Sequence, residues 1–176
     1  MKAYSTNGVL APEINDLLLV KRDCMGRTRH GVMMCIDLEA YDFHAGSSSL
    51  VRASEKTIES RLPPRVDIRR DAVYELPHVL VLVDDPERSI VEPLIAAKDS
   101  FEQVYDFDLM KNGGHLASWK VTNDHLEKFT AALEANVAKE SFVKRYGEEA
   151  REKPAMLFAV GDGNHSLNKI FNLIQS

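Results

Sequence analysis

The sequence predicts an α/β (α+β) fold: a mixed sheet with hairpins and packed helices. Three observations predict it. Short apolar runs at 17–20, 32–36, 79–83 and 155–160 have the length and bounding turn residues of strands. Asn112-Gly113-Gly114 stands between two apolar stretches, and Asn-Gly is a strong hairpin signal. Leu126, Phe129, Leu133 and Val137 recur at helical spacing.

Size and composition set the frame. At 176 residues, 44% hydrophobic and 28% charged, the chain suits one globular domain spanning 1–176. No apolar run has membrane-spanning length, and Met1-Lys2-Ala3-Tyr4 does not lead into a signal peptide, so a cytoplasmic protein is expected. Cys24 and Cys35 are too few for a disulfide framework or a cysteine metal site. A formal charge of −5 argues against a nucleic-acid surface. The expected partner is a small-molecule or nucleotide ligand, with neither nucleic acid nor membrane; a homo-oligomer is compatible with this composition.

Residues 1–12 carry little pattern and read as a lead-in. The runs 17–20 and 32–36 predict a hairpin whose loop, around Cys24-Met25-Gly26-Arg27, is longer than the tightest turns. Next comes a polar loop, in which His44 reads as a loop histidine with nothing nearby to make it a ligand site. A helix starting near Ser54 and stopping before Pro63-Pro64 would line up Arg52, Glu55 and Glu59 on one side. From Arg52 to Arg70 six bases (Arg52, Lys56, Arg61, Arg65, Arg69, Arg70) face three acids, a local basic strip suited to a small anion or to a salt-bridged loop. Val79–Val83 predicts a central strand ended by Asp84-Asp85-Pro86, which reads as turn chemistry rather than a magnesium pair. Ser89 and Glu92 form a capping box for a helix carrying Ile90, Leu94, Ile95, Phe101 and Tyr105. Segments 107–110 and 116–121 flank the Asn-Gly turn, with Trp119 assigned to the core. Asn123 caps the next helix, which ends before Gly147, and Lys139–Lys153 is charged and solvated.

The chemistry concentrates in the last quarter. Ala155–Val160, after Pro154, predicts a strand buried on both faces. Gly161 and Gly163 bracket Asp162, and Leu167, Ile170, Phe171 and Ile174 predict a helix behind the turn. Strand, glycine turn and helix start would aim main-chain N–H groups at one spot, which suits a phosphate. Asp162 would be a base or metal ligand, and His165 a titrating group or phosphate donor. The competing reading is that Asp162, Asn164 and Ser166 are turn and N-cap residues without a ligand.

Several strings carry a family likeness: Asp37-Leu38-Glu39-Ala40-Tyr41-Asp42-Phe43, Arg52-Ala53-Ser54-Glu55-Lys56-Thr57 with Arg61 and Pro63-Pro64-Arg65, Leu76-Pro77-His78 with Asp84-Asp85-Pro86, Asn112-Gly113-Gly114-His115-Leu116, and Phe158 to Leu167. Together they resemble domain-of-unknown-function family 1015, found in bacteria and archaea. The match covers the middle of the family's usual length, so the chain reads as a fragment of a longer family protein. Within it, the strand followed by Asp162-Gly163-Asn164-His165 resembles the phosphate-binding turn of the ParB/sulfiredoxin-like superfamily, which includes free-serine kinases. That likeness implies a nucleotide-binding core and kinase-like phosphoryl transfer to a small hydroxylated metabolite, with ATP or ADP and magnesium. It implies Asp162, His165 and Glu55 as catalytic residues, and Gly161, Gly163, Asn164, Ser166 and Arg52 as the nucleotide cradle; no metal ligand is assigned. Ser166 departs from the pattern, standing where the superfamily usually has arginine. The alternatives are a non-catalytic nucleotide- or anion-binding module and an inactive structural or interaction fragment.

Overall fold

The computed structural model describes residues 2–10, 14–56, 58, 60, 67, 72 and 79–167. In chain order the elements are α1 (Lys2–Thr6), β1 (Leu18–Cys24), β2 (Arg27–Met33), β3 (Tyr41–Asp42), β4 (Val51–Ala53), β5 (Leu80–Leu82), α2 (Glu92–Ala97), β6 (Glu102–Asp108), β7 (His115–Lys120), α3 (Asn123–Val137), α4 (Lys139–Tyr146) and β8 (Phe158–Asp162). They fall into two compact units, each assembled from separated stretches: Ile14–Cys35 with Asp85–Ala138, and Met1–Glu13 with Ile36–Asp84 and Lys139–Ser176. The predicted mixed α/β class with hairpins is what the chain adopts, with one antiparallel and one mixed sheet. No helix among the described residues is long and apolar enough to cross a membrane.

The unit containing β1 is built on an antiparallel sheet in the order β2-β1-β7-β6. Its first hairpin turns in the two residues Met25 and Gly26, both at positive φ (51° and 71°), so the loop is the tightest available rather than an extended one. The polar strand ends Lys21–Cys24 and Arg27–His30 pair despite lacking apolar residues, because cross-strand hydrogen bonding continues past the buried stretch. Leu18, Leu19, Ile90, Leu94, Phe101, Ala117, Val121 and Phe129 are this unit's buried hydrophobic residues. Leu19 is fully enclosed, which is worth about 2 kcal/mol. Trp119 is only half-buried, with the Lys98 ammonium 5.3 Å from its ring centroid.

Two helix expectations need correction here. The capping box does not form: Ser89 donates instead to Asp85 (3.0 Å), whose carboxylate also accepts from the Ile90 amide (2.8 Å). The helix then spans only Glu92–Ala97, and Tyr105 lies in β6 opposite Ser118. Apolar spacing alone does not separate one long helix from a short helix followed by a strand. Asn123 is the first residue of α3, and Thr122 holds the cap position with its hydroxyl 2.9 Å from His125 Nδ1. The stretch expected to be one helix is two, interrupted at Ala138, whose ψ of 140° breaks the helical backbone.

The other unit carries the mixed sheet β3-β4-β8-β5. β3, β4 and β8 run parallel, and β5 pairs antiparallel with β8. Tyr41, Val51, Phe158, Val160 and Leu167 are buried in it. Thus, among the described residues, β5, predicted as central, is an edge strand with Leu80 and Leu82 half exposed. A wholly apolar run does not distinguish a central strand from an edge strand whose side chains lie over a neighbour. Residues 54–55 form a bend after β4, not a helix start, so Arg52 and Glu55 share no helical face. Glu59, Arg61, Pro63-Pro64-Arg65, Arg69, Arg70, Leu76-Pro77-His78 and the helix expected through Ile170, Phe171 and Ile174 lie outside the described residues. Within 2–12, Lys2–Thr6 is a single helical turn where the sequence carries little pattern.

The glycines separate tolerance from strain. A Cβ on Gly114 (φ 99°) would stand 2.0 Å from the Asp23 carbonyl oxygen, whereas one on Gly31 would meet nothing within 4 Å. Gly114→Ala is expected to cost about 2–3 kcal/mol in urea unfolding, and Gly31→Ala to stay within about 0.5 kcal/mol.

Candidate functional site

The site begins with where β8 stops. Its inner position, between β4 (Val51↔Phe158, Arg52↔Ala159, Ala53↔Val160) and β5, extends the strand past the apolar run to Asp162. The strand is not buried on both faces as expected: Phe158 and Val160 are enclosed, Ala159 between them is half-buried, and Gly161 and Asp162 are exposed. The chain reverses at Gly163 alone (φ 86°), and residues 164–167 are helical. Gly161 serves a different need: a Cβ there would come within 2.9 Å of Leu82 Cδ1.

The turn is knit by its own side chains. Asp162 Oδ1 accepts from the Gly163 amide (2.8 Å), and Asn164 Oδ1 from the His165 amide (2.7 Å). The Ser166 and Leu167 amides both donate to the Gly163 carbonyl, at 2.9 and 3.0 Å. The expected set of free amides converging on a hollow is therefore corrected: the Asp162 and Asn164 oxygens occupy two of them, in the manner of N-cap residues. Asn164 is 2% exposed, and its Nδ2 donates to the Glu55 carbonyl at 3.4 Å. The Asp162 side chain stands at the exposed surface.

The residues expected from the second segment arrive differently. The Ser54 amide and hydroxyl donate to the Val160 carbonyl (3.2 and 2.6 Å). The Ile58 amide donates to His165 Nε2 at 3.2 Å, which makes that nitrogen the acceptor and leaves Nδ1 to carry the neutral ring's proton. Glu55 meets the turn through its main-chain oxygen, while the residue itself is exposed. Arg52 donates to the carbonyls of Ser49 (2.5 Å), Ala155 (2.5 Å) and Pro154 (3.2 Å). The Pro154 and Ala155 carbonyls precede β8 and that of Ser49 precedes β4, whereas Asp162 lies at the far end of β8, about 13 Å along the strand from Phe158. Arg52 is thus a brace for the entry into β8 rather than part of the cradle.

Topology places a further pair on the same sheet, at the end of β3, where Asp42 is level with Arg52 and Ala159 rather than with Asp162. Because β3, β4 and β8 are parallel, Asp42, Ser54 and Asp162 all mark carboxyl ends. Asp42 Oδ1 accepts the His44 amide (3.0 Å) and lies 2.6 Å from His44 Nδ1, whose ring stacks on Phe43 at 4.2 Å. The His44 amide foremost, then Ser47, hold the Asp42 carboxyl down at about 2. These side chains border a cavity of about 360 Å³. His44 lies in the polar loop, and the Asp-x-His spacing there is that of a side-chain-capped turn. Asp84 accepts the Tyr146 hydroxyl (2.5 Å) and Asp85 caps its own turn. Among the described residues no group of three or more His, Cys, Asp or Glu could hold a metal ion.

Against known proteins, a family model described as Protein of unknown function (DUF1015) matches residues 1–175, and the chain belongs to that family. No curated protein and no solved structure matches it.

The bonding assigns scaffold roles that unfolding can check. Arg52→Ala, losing three bonds from a charged donor, is expected to lower stability by about 2 kcal/mol in urea unfolding. Asn164→Ala, which removes a buried amide together with its bonds to the Glu55 carbonyl and the His165 amide, is expected to cost about 1–2 kcal/mol in the same measurement.

Proposed function

We propose that the chain binds the phosphates of a nucleotide at the carboxyl ends of β4 and β8 and transfers a phosphoryl group to a small hydroxylated metabolite. The observation that supports this most is the arrangement at one sheet edge. Two parallel strands end side by side, and an exposed Asp162 precedes a positive-φ glycine at a helix start. Ligands of open α/β sheets bind outside the carboxyl ends of parallel strands, and main-chain amides there suit phosphate. The likeness of Asp162-Gly163-Asn164-His165 to the ParB/sulfiredoxin-like turn adds to the reading.

In this reading Asp162 holds the place of a phosphate oxygen on the Gly163 amide. A bound phosphate takes over that N–H and frees the carboxylate to accept the proton of the acceptor hydroxyl. Oxygen of that hydroxyl bonds the transferred phosphorus as the bond to the leaving nucleoside diphosphate breaks. Asn164 keeps the turn in shape through the Glu55 carbonyl, and His165 does so through the Ile58 amide. Magnesium, carried on the nucleotide phosphates, would neutralise charge; ATP is the donor proposed.

One observation favours a second reading, a non-catalytic nucleotide- or anion-binding module. Arg52 is engaged elsewhere, and Glu55 contributes its main chain to the turn rather than its carboxylate.

Calorimetric titration of the folded chain with ADP, ATP and CTP plus magnesium is expected to give a Kd below about 1 mM for at least one of them. Asp162→Asn is expected to retain that affinity while losing about 100-fold or more of any phosphoryl transfer to hydroxylated acceptors. Binding with no transfer by the unaltered chain selects the module. No heat at millimolar ligand removes both readings.

A further inference from the structure

The run Asn112-Gly113-Gly114-His115-Leu116 has no part in the phosphate reading, and its histidine is placed unusually. His115 opens β7, where it is the register partner of Asp108 on β6 and of Asp23 on β1. Its Nδ1 lies 2.9 Å from Asp108 Oδ1 and its Nε2 lies 2.9 Å from Asp106 Oδ1. Asp108 and His115 are the pair that closes the loop 109–114.

We propose that His115 is a proton-operated latch on the β6–β7 loop, closed when its imidazolium ties Asp106 and Asp108 together and opened when the ring becomes neutral. Only the imidazolium has two N–H donors for the two carboxylates; either neutral tautomer leaves a ring lone pair against a carboxylate oxygen. The remaining charged groups on this face are of both signs, with carboxylates in the majority. On β1, Asp23 stands across from His115 and is paired with Lys21 (2.7 Å), and on β2 Thr28 donates to Asp23 (2.5 Å), with His30 across from Lys21. On β6, Gln103 donates to the second oxygen of Asp106 (2.7 Å). Three carboxylates and one ammonium thus surround the ring. The Asp108 hydrogen bond, followed by the charge of Asp106, raises the His115 pKa above its ordinary value.

The loop that the latch closes holds a demanding backbone. Lys111 and Asn112 both adopt φ of 56° and Gly114 adopts 99°. The Leu109 amide donates to the Gly114 carbonyl (2.7 Å), the Gly113 amide to the Met110 carbonyl (3.1 Å), and Arg22 reaches the Gly113 carbonyl (3.3 Å). Met110 at the tip is 84% exposed. Since the folded pKa is raised, the latch's contribution is complete below the unfolded value near 6.5. It is lost as pH rises through the folded value.

The test follows the His115 ring Cε1–H resonance of the full chain by NMR from pH 5 to 9, together with amide exchange at Leu109 and Gly113 expressed as protection factors. The expected result is a His115 midpoint above 6.5 and a fall in both protection factors of about threefold or more with that same midpoint. Asp108→Asn is expected to move the ring midpoint down, and His115→Gln to abolish the pH-linked step. A ring midpoint at or below 6.5 overturns the proposal, as do protection factors that stay level through the titration or that keep their step in His115→Gln.

Discussion

The candidate site depends on one constraint: β8 is held on both edges. Parallel pairing to β4 and antiparallel pairing to β5 leave the strand no freedom of register, since a slip by one residue would send Phe158 and Val160 out of the core. The strand therefore delivers Asp162 to a fixed point. Gly163 makes the reversal there, and the buried Asn164 ties the start of the helical turn to the backbone after β4. The chemical groups of the turn are positioned by hydrogen bonds to main chain, which substitutions of neighbouring side chains do not easily disturb.

That economy explains the division of labour among the polar residues. Arg52, Ser54, Asn164 and His165 each use their polar atoms on main-chain partners within the sheet and its turn. A strand pair as short as Val51–Ala53 against Phe158–Val160 has few ladder bonds of its own, and such side-chain bonds extend it at both ends. Asp162 stands apart, bonded to the adjacent amide and exposed, which makes it the group with chemistry to spare. Asp42 and His44 form a bonded pair at the carboxyl end of β3, the imidazole exposed and the aspartate half-buried.

Much of this is legible in the sequence. The apolar run before Gly161 and the polar residues after it announce a strand, a turn and a helix start, and Asn112-Gly113 announces the second hairpin. The helical spacing of Phe129 and Leu133 announces α3. The illegible features depend on partners distant in sequence. Nothing local says that β5 borders β8 and extends it through Asp162, or that Arg52 turns toward Pro154 and Ala155. Spacing likewise makes Ile90 to Tyr105 look like one helix, because residues four apart serve a helix and a helix-then-strand equally well. The Met25-Gly26 turn is hidden by a methionine in a conformation that glycine or asparagine ordinarily supplies.

The central claim is that the Gly163 amide exchanges its bond to Asp162 for a bond to phosphate. The most direct measurement is an amide-resolved NMR titration of the full chain with ADP and, separately, inorganic phosphate. The account predicts saturable shifts centred on the Gly163 and Asn164 amides and extending to Glu55 through the Asn164 bond. Unmoved resonances at those positions at about 10 mM ligand, or shifts centred elsewhere in the chain, would contradict it.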